Sequence, residues 1–128
     1  MKLRIDLKSD TPVYRQIVDG LRILLVNGEL KTGDQLPPVR RLALDLGVHF
    51  NTVAEAYRTL AEEGWLEIGR RNGARVVARA LPTKADPQTE ASFQRRLREL
   101  AAEVQARGFS RDRIARELRQ LAENLERR

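Results

Sequence analysis

In the stretch "TPVYRQIVDGLRILLVNG" the apolar residues Tyr14, Ile17, Leu21, Leu24 and Leu25 recur at helical spacing, so they share one side of a predicted helix. Asp10 or Thr11 is placed to cap it, Pro12 suits its first turn, and Asn27-Gly28 ends it. The next segment, "ELKTGDQLPP", has Gly33-Asp34 as a turn and two prolines that force extended backbone. It reads as a connector, with or without a short strand.

Val39 to Leu46 then predicts a helix of barely two turns that buries Leu42, Ala43 and Leu46, stopped by a left-handed Gly47. A third helix opens at Asn51 or His49 and turns Val53, Ala56, Tyr57 and Leu60 inward at i, i+3, i+4 and i+7, with Gly64 as its stop. After it, "WLEI" and "ARVV" flank "GRRNG", two β-prone runs around an Asn-Gly turn signal, which predicts a hairpin of open register. Tyr57 is read as core with its hydroxyl at the rim, and Trp65 as packing.

Residues 80 to 90, "ALPTKADPQTE" from Ala80, hold two prolines and no periodicity and read as a linker. Beyond it Phe93, Leu97, Leu100 and Val104 step by 4, 3 and 4, and Ile114, Leu118, Leu121 and Leu125 step the same way. Each seam is narrow, the width of a helix-to-helix contact rather than of a core. Between them Gly108 ends one helix, Ser110 caps the next, and Phe109 staples onto Ile114. Such a pair buries too little surface to stand alone. The expectation is that these eight residues form a homodimer interface, two hairpins making a four-helix assembly; the alternative is that the hairpin folds back on its own chain.

The elements together predict an α+β protein: an N-terminal winged helix-turn-helix over residues 11–79, a linker over 80–90, and a two-helix C-terminal hairpin for dimerisation over 91–128. The glycine break at Gly47 sets an angle between two helices, so that the second is braced on the body while its first turn stays open.

Composition sharpens this. Of 24 Lys plus Arg, lysine occupies only positions 2, 8, 31 and 84, so 20 are arginine, the side chain that forks onto phosphate and guanine. The competing reading is ion pairing along helix surfaces in a chain from a G·C-rich source. Residues 1–80 carry 13 cations against 10 anions and the rest 11 against 8, +3 each, so net charge locates no site. With no cysteine and His49 as the single histidine, neither a disulfide nor a metal site is expected, and no cofactor. No apolar run resembles a signal peptide or a membrane span, and a cytoplasmic location with no membrane partner is expected.

If Val53, Ala56, Tyr57 and Leu60 face inward, then Asn51, Thr52, Glu55 and Arg58 face outward, with His49 and Phe50 at the entrance. Asn51 either pairs with adenine or caps the helix, capping being the stronger reading, and Thr52 bonds a phosphate. Glu55 either accepts from cytosine or is a solvated charge. Phe50 either touches a thymine methyl or packs half-buried; His49 either donates to phosphate or is idle. Arg40 and Arg41 open the shorter helix, where one reaches phosphate or both are merely exposed. Arg70, Arg71, Asn72 and Gly73 form the wing tip, where adjacent like charges are relieved by a phosphate partner. Arg75 and Arg79 are assigned to the return strand, where they either extend that patch or pair with Glu67.

The stretch "GDQLPPVRRLALDLGVHFNTVAEAYRTLAEEGWLEIGRRNGARVV" resembles the signature of the DNA-binding domain of the GntR family of bacterial transcription regulators, and "PVYRQIVDGLRILLVNGELKTGDQLP" its leading helix. The short tail is similar to that of the YtrA-like branch, which implies a small dimeric repressor, often encoded beside transporter genes. The resemblance implies that Arg40, His49 to Thr52, and the wing from Arg71 to Gly73 contact double-stranded DNA; in a dimer, two such helices related by a two-fold axis are expected to read a palindromic operator. Two departures stand out: Pro38 replaces a capping serine, and Ala54 and Glu55 stand where relatives carry longer polar or basic groups. The alternative function is a winged-helix adaptor for another protein. An enzyme is not expected, since no nucleophile–base pair, phosphate loop or metal spacing is present. An unidentified small-molecule effector, seated between hairpins or between tail and DNA-binding domain, has no motif behind it.

Overall fold

Helix α1, Val13–Val26, forms where the apolar spacing predicts it and buries Ile17, Val18, Leu21, Leu24 and Leu25. In the computed structural model, which describes residues 1–69 and 73–127, its N-cap is Pro12 with no side-chain cap, correcting the assignment to Asp10 or Thr11. Proline at that position has no side-chain acceptor to offer, and Thr11 N–H is itself donated to Ser9 Oγ at 3.1 Å.

Helix α2, Val39–Leu46, spans the predicted residues, burying Leu42 and Ala43 with Leu46 partly buried against the same core. Pro38 precedes it and no side chain caps it. Gly47 stops it at φ 71°, a left-handed conformation that costs glycine nothing. Helix α3, Phe50–Glu62, lies across both: Val53, Ala56 and Leu60 are fully buried and Tyr57 nearly so. Side-chain bonds between Tyr14 Oη and Thr59 Oγ1, 2.7 Å, and from Arg22 to Glu63 fasten α1 to α3.

Strands β1, Leu66–Ile68, and β2, Ala74–Val76, pair antiparallel with Leu66 opposite Val76 and Ile68 opposite Ala74. The connector supplies a third, short piece. Gln35 bridges Arg75, Leu36 N–H donates to Ala74 O, and Val76 N–H donates to Asp34 O, both at 2.8 Å. Trp65, Leu66, Ala74 and Val76 close the core from below the helices.

The first compact unit is Met1–Ala80. It includes the first ten residues, which lie ahead of the predicted start at residue 11: Leu3 and Ile5 pack against the core. The Gln16 amide holds this segment by accepting from Asp6 N–H and donating to the carbonyls of Asp6 and Thr11.

The second unit is Leu81–Arg128. Helix α4, Pro87–Ala106, starts four residues inside the stretch taken as linker, because Asp86 accepts from Thr89 N–H at 2.8 Å and Pro87 fits the first turn. That bond and a second from the Thr89 hydroxyl, 3.1 Å, hold the Asp86 carboxyl below its ordinary range. Gly108 follows α4 at φ 110°, and Ser110 Oγ caps α5, Arg111–Glu126, by accepting from Arg113 N–H at 3.0 Å. No residue of α4 or α5 is buried. Of the eight predicted seam residues, Val104 and Ile114 are half-buried, while Phe93, Leu97, Leu100, Leu118, Leu121 and Leu125 stay exposed. Phe109 and Ile114 line one apolar groove with Leu97, Leu100, Val104 and Leu118, about 170 Å³ in volume.

Candidate nucleic-acid interface

One face of α3 is closed and the other is open. Asn51, Glu55 and Arg58 are exposed, Thr52 is half-exposed, and none of these side chains has a hydrogen bond or ion pair among the described residues. A row of free polar groups over a fully buried apolar stripe is what a groove-reading helix requires: rigidity from the core and donors and acceptors left vacant for base edges.

The start of α3 is built differently from the sequence expectation for Asn51. His49 is the N-cap, and its Nδ1 accepts from Asn51 N–H at 3.1 Å. The imidazole therefore carries its proton on Nε2. Capping by His49 leaves the Asn51 amide unspent.

His49 also stacks on Phe50, ring centroids 4.7 Å apart and planes 23° from parallel. On the ring of Phe50 lies the guanidinium of Arg40, 4.3 Å from the centroid. Phe50 is half-buried, its other contacts being with the core. The adjacent Arg41 is committed elsewhere: its Nε lies 3.3 Å from Asp45 Oδ1, one turn on. So the two arginines divide, with only Arg40 brought to the mouth of α3.

The base of the wing reaches the same place. Gly69 N–H donates to Gly73 O at 2.8 Å, and Gly73 has φ 67°. A β-carbon on Gly73 would stand 3.9 Å from Pro38 Cα, at the start of α2. The predicted contacts Arg70, Arg71 and Asn72 lie outside the described residues. Arg75 pairs with Glu67 across the hairpin at 3.1 Å, the second of its two sequence readings.

Arg79 departs from expectation. It lies past β2, donates from Nε to Glu63 O at 2.7 Å and covers Trp65 at 4.5 Å, so it finishes α3 rather than extending a basic patch. The Tyr57 hydroxyl is likewise not at a rim. The residue is 2% exposed and donates to Pro37 O at 2.7 Å. Sequence reasoning missed this strut because a tyrosine on an apolar stripe carries no mark of where its oxygen goes.

Among the described residues no His, Cys, Asp and Glu group could hold a metal ion, and no helix is long and apolar enough to cross a membrane. Three helices, a glycine-set bend and a hairpin wing define a winged helix-turn-helix, whose second motif helix is the open-faced α3.

Comparison with known proteins places it further. Residues 13–76 match the description of the bacterial regulatory proteins of the gntR family. The chain is 40% identical over 81 residues to the transcriptional repressor YtrA of Bacillus subtilis, covering 63% of this chain and 62% of that one. It is 41% identical over 83 residues to the probable rhizopine catabolism regulatory protein MocR of Rhizobium meliloti, covering 65% of this chain and 16% of that one. The chain thus spans less than two thirds of either curated relative. Among solved structures, the GntR-family transcription factor YtrA from Sulfolobus acidocaldarius is 35% identical with a TM-score of 0.54, covering 96% of this chain and 98% of that one. This protein belongs to the GntR family of bacterial regulatory proteins.

Proposed function

We propose that the protein is a sequence-specific, double-stranded DNA-binding transcription regulator that works as a dimeric repressor. The observation that carries the reading is the open face of α3: Asn51, Glu55 and Arg58 unengaged, with Arg40 held beside them, over a face that is fully buried. Family membership and the repressor name of the Bacillus subtilis relative support it. In this reading α3 enters the major groove, Asn51 and Glu55 meet base edges, Arg40, Thr52, His49 and Arg58 meet phosphates, and the wing from Arg70 to Gly73 lies alongside.

Two copies joined through the tail seams would read a palindrome with half-sites about 10 bp apart or a multiple of it. The groove between α4 and α5, about 170 Å³, is smaller than the roughly 300–1,000 Å³ usual for ligand pockets. Its apolar lining suits a helix from a second copy better than an effector.

A gel-shift titration of the full chain on fragments from its own promoter region, at two salt concentrations, tests the proposal. Retention of one fragment over the others, weakening steeply with salt, supports it. Equal or absent retention of every fragment, indifferent to salt, overturns it.

A further inference from the structure

Arg40, Phe50 and His49 form a continuous stack that joins the first turn of α2 to the first turn of α3. Two helices that meet at a bend have their exposed arginines on independent, flexible stems. Here one stem is pinned by the ring of the other helix. The Phe50 ring is held in turn by its core contacts below and by His49 beside it. His49 cannot swing away without giving up the cap on Asn51 N–H. Neither an ion pair nor a hydrogen bond to Arg40 exists among the described residues, so the guanidinium keeps its five N–H donors for a partner.

We propose that Phe50 is a positioning residue: it reads no base, but fixes the Arg40 guanidinium against α3 in the orientation that binds a DNA phosphate. The inference rests on the DNA-binding reading above. It replaces the sequence alternative in which Phe50 meets a thymine methyl, since one face of its ring is already covered by Arg40. Arginine is required for this, because a planar, weakly hydrated guanidinium stacks on an aromatic face while an ammonium does not do so in the same way. The gain is entropic: an arginine ordered before binding loses less freedom on binding.

The test uses the full chain and a fluorescent duplex selected by that chain from a randomised 30-bp library. Phe50→Leu keeps apolar volume and removes the ring; it is expected to weaken binding roughly twofold to tenfold, the cost of ordering one loose side chain. Phe50→Tyr keeps the stack and is expected to bind like the unchanged chain. In an Arg40→Ala background Phe50→Leu is expected to cost nothing further, since the group it positions is gone. Arg40 side-chain proton shifts in the free protein report the stack directly, moving toward random-coil values in Phe50→Leu and not in Phe50→Tyr. If the losses from Phe50→Leu and Arg40→Ala multiply in full, or Phe50→Tyr binds as poorly as Phe50→Leu, the inference is overturned while DNA binding stands. If the unchanged chain retains no duplex, the DNA reading falls and this inference with it.

Discussion

The hydroxyl of Tyr57, midway along α3, donates to the carbonyl of Pro37, two residues before α2 begins. Pro37 and Pro38 have no N–H of their own to anchor them, so this one bond from the neighbouring helix fixes the run that launches α2 and carries Arg40. Gly73 closes on the same spot from the wing. The three elements proposed to meet DNA therefore share one reference point, the Pro37–Pro38 run. Tyr57→Phe is expected to lower stability by about 1 kcal/mol, a drop of roughly 4–8 °C in the melting midpoint of a unit this size. A calorimetric midpoint within a degree of the unchanged chain would show that the strut contributes nothing.

The same phenol gives a base-side signature. Burial raises its pKa well above the ordinary 10.0. A raised value means the folded state holds the proton more tightly, so the associated stability is complete below about pH 10 and is lost as pH rises beyond it. The melting midpoint of the unchanged chain should fall on going from pH 9 to 11 more steeply than that of Tyr57→Phe. Parallel curves would remove Tyr57 from the account.

The start of α4 should respond on the acid side. Asp86 is held below its ordinary value first by Thr89 N–H and then by the Thr89 hydroxyl. A lowered carboxyl stabilises the helix start above its unfolded value, near 3.8, and that help disappears as pH drops through the folded value. Asp86→Ala is expected to speed amide exchange at Thr89 and Glu90 at neutral pH, with no effect at Arg113, whose cap is Ser110. Unchanged exchange at Thr89 would contradict it.

Arginines that look alike in sequence should separate by the salt dependence of DNA binding. Arg40→Ala is expected to flatten the log–log slope by about 0.9, one phosphate's worth of released counterions. Arg79→Ala should leave the slope alone, because its guanidinium is engaged by Glu63 O and Trp65. Equal flattening by both would return Arg79 to the interface.

Gly20 lies within α1, and a β-carbon there would collide with Leu3 Cδ1. That atom ends a flexible side chain on the docked N-terminal segment. Gly20→Ala should gain about 0.8–1.0 kcal/mol in helix propensity, and lose part of it by displacing Leu3. The substitution is expected to expose residues 1–8 to limited proteolysis, and to be clearly stabilising only in a chain lacking them. Equal stabilisation in both chains would mean the segment holds nothing down.

Much of this was legible because each of the first four helices announces itself twice, by apolar spacing and by a glycine just past its end. The stripe Val53, Ala56, Tyr57, Leu60 and the stops at Gly47 and Gly108 agree with one another, so the bend and the tail hairpin follow from local chemistry alone. What escaped depends on partners distant in sequence. Leu3 and Ile5 alternate over too few residues to reveal the segment as part of the core, and nothing near Gln16 tells that its amide holds it. His49 outcompeted Asn51 as the cap because its Nδ1 reaches the second amide on, a geometry that depends on ring orientation rather than on residue type. The division of labour between Arg40 and Arg41 is set by Phe50 and Asp45, one on each side, and a pair of adjacent arginines reads the same either way.

Because α4 and α5 bury none of their residues in a single chain, a lone copy carries a tail held only by its helix caps and the shallow apolar contact around Val104 and Ile114. Such segments open easily, and opened segments are where proteases cut. If copies pair through the tail as proposed above, surplus single copies in a cell would be the first to be cleared while paired ones persisted. The leucines along the tail would then act as a gauge of abundance, with the amount of regulator trimmed by its own failure to find a second copy.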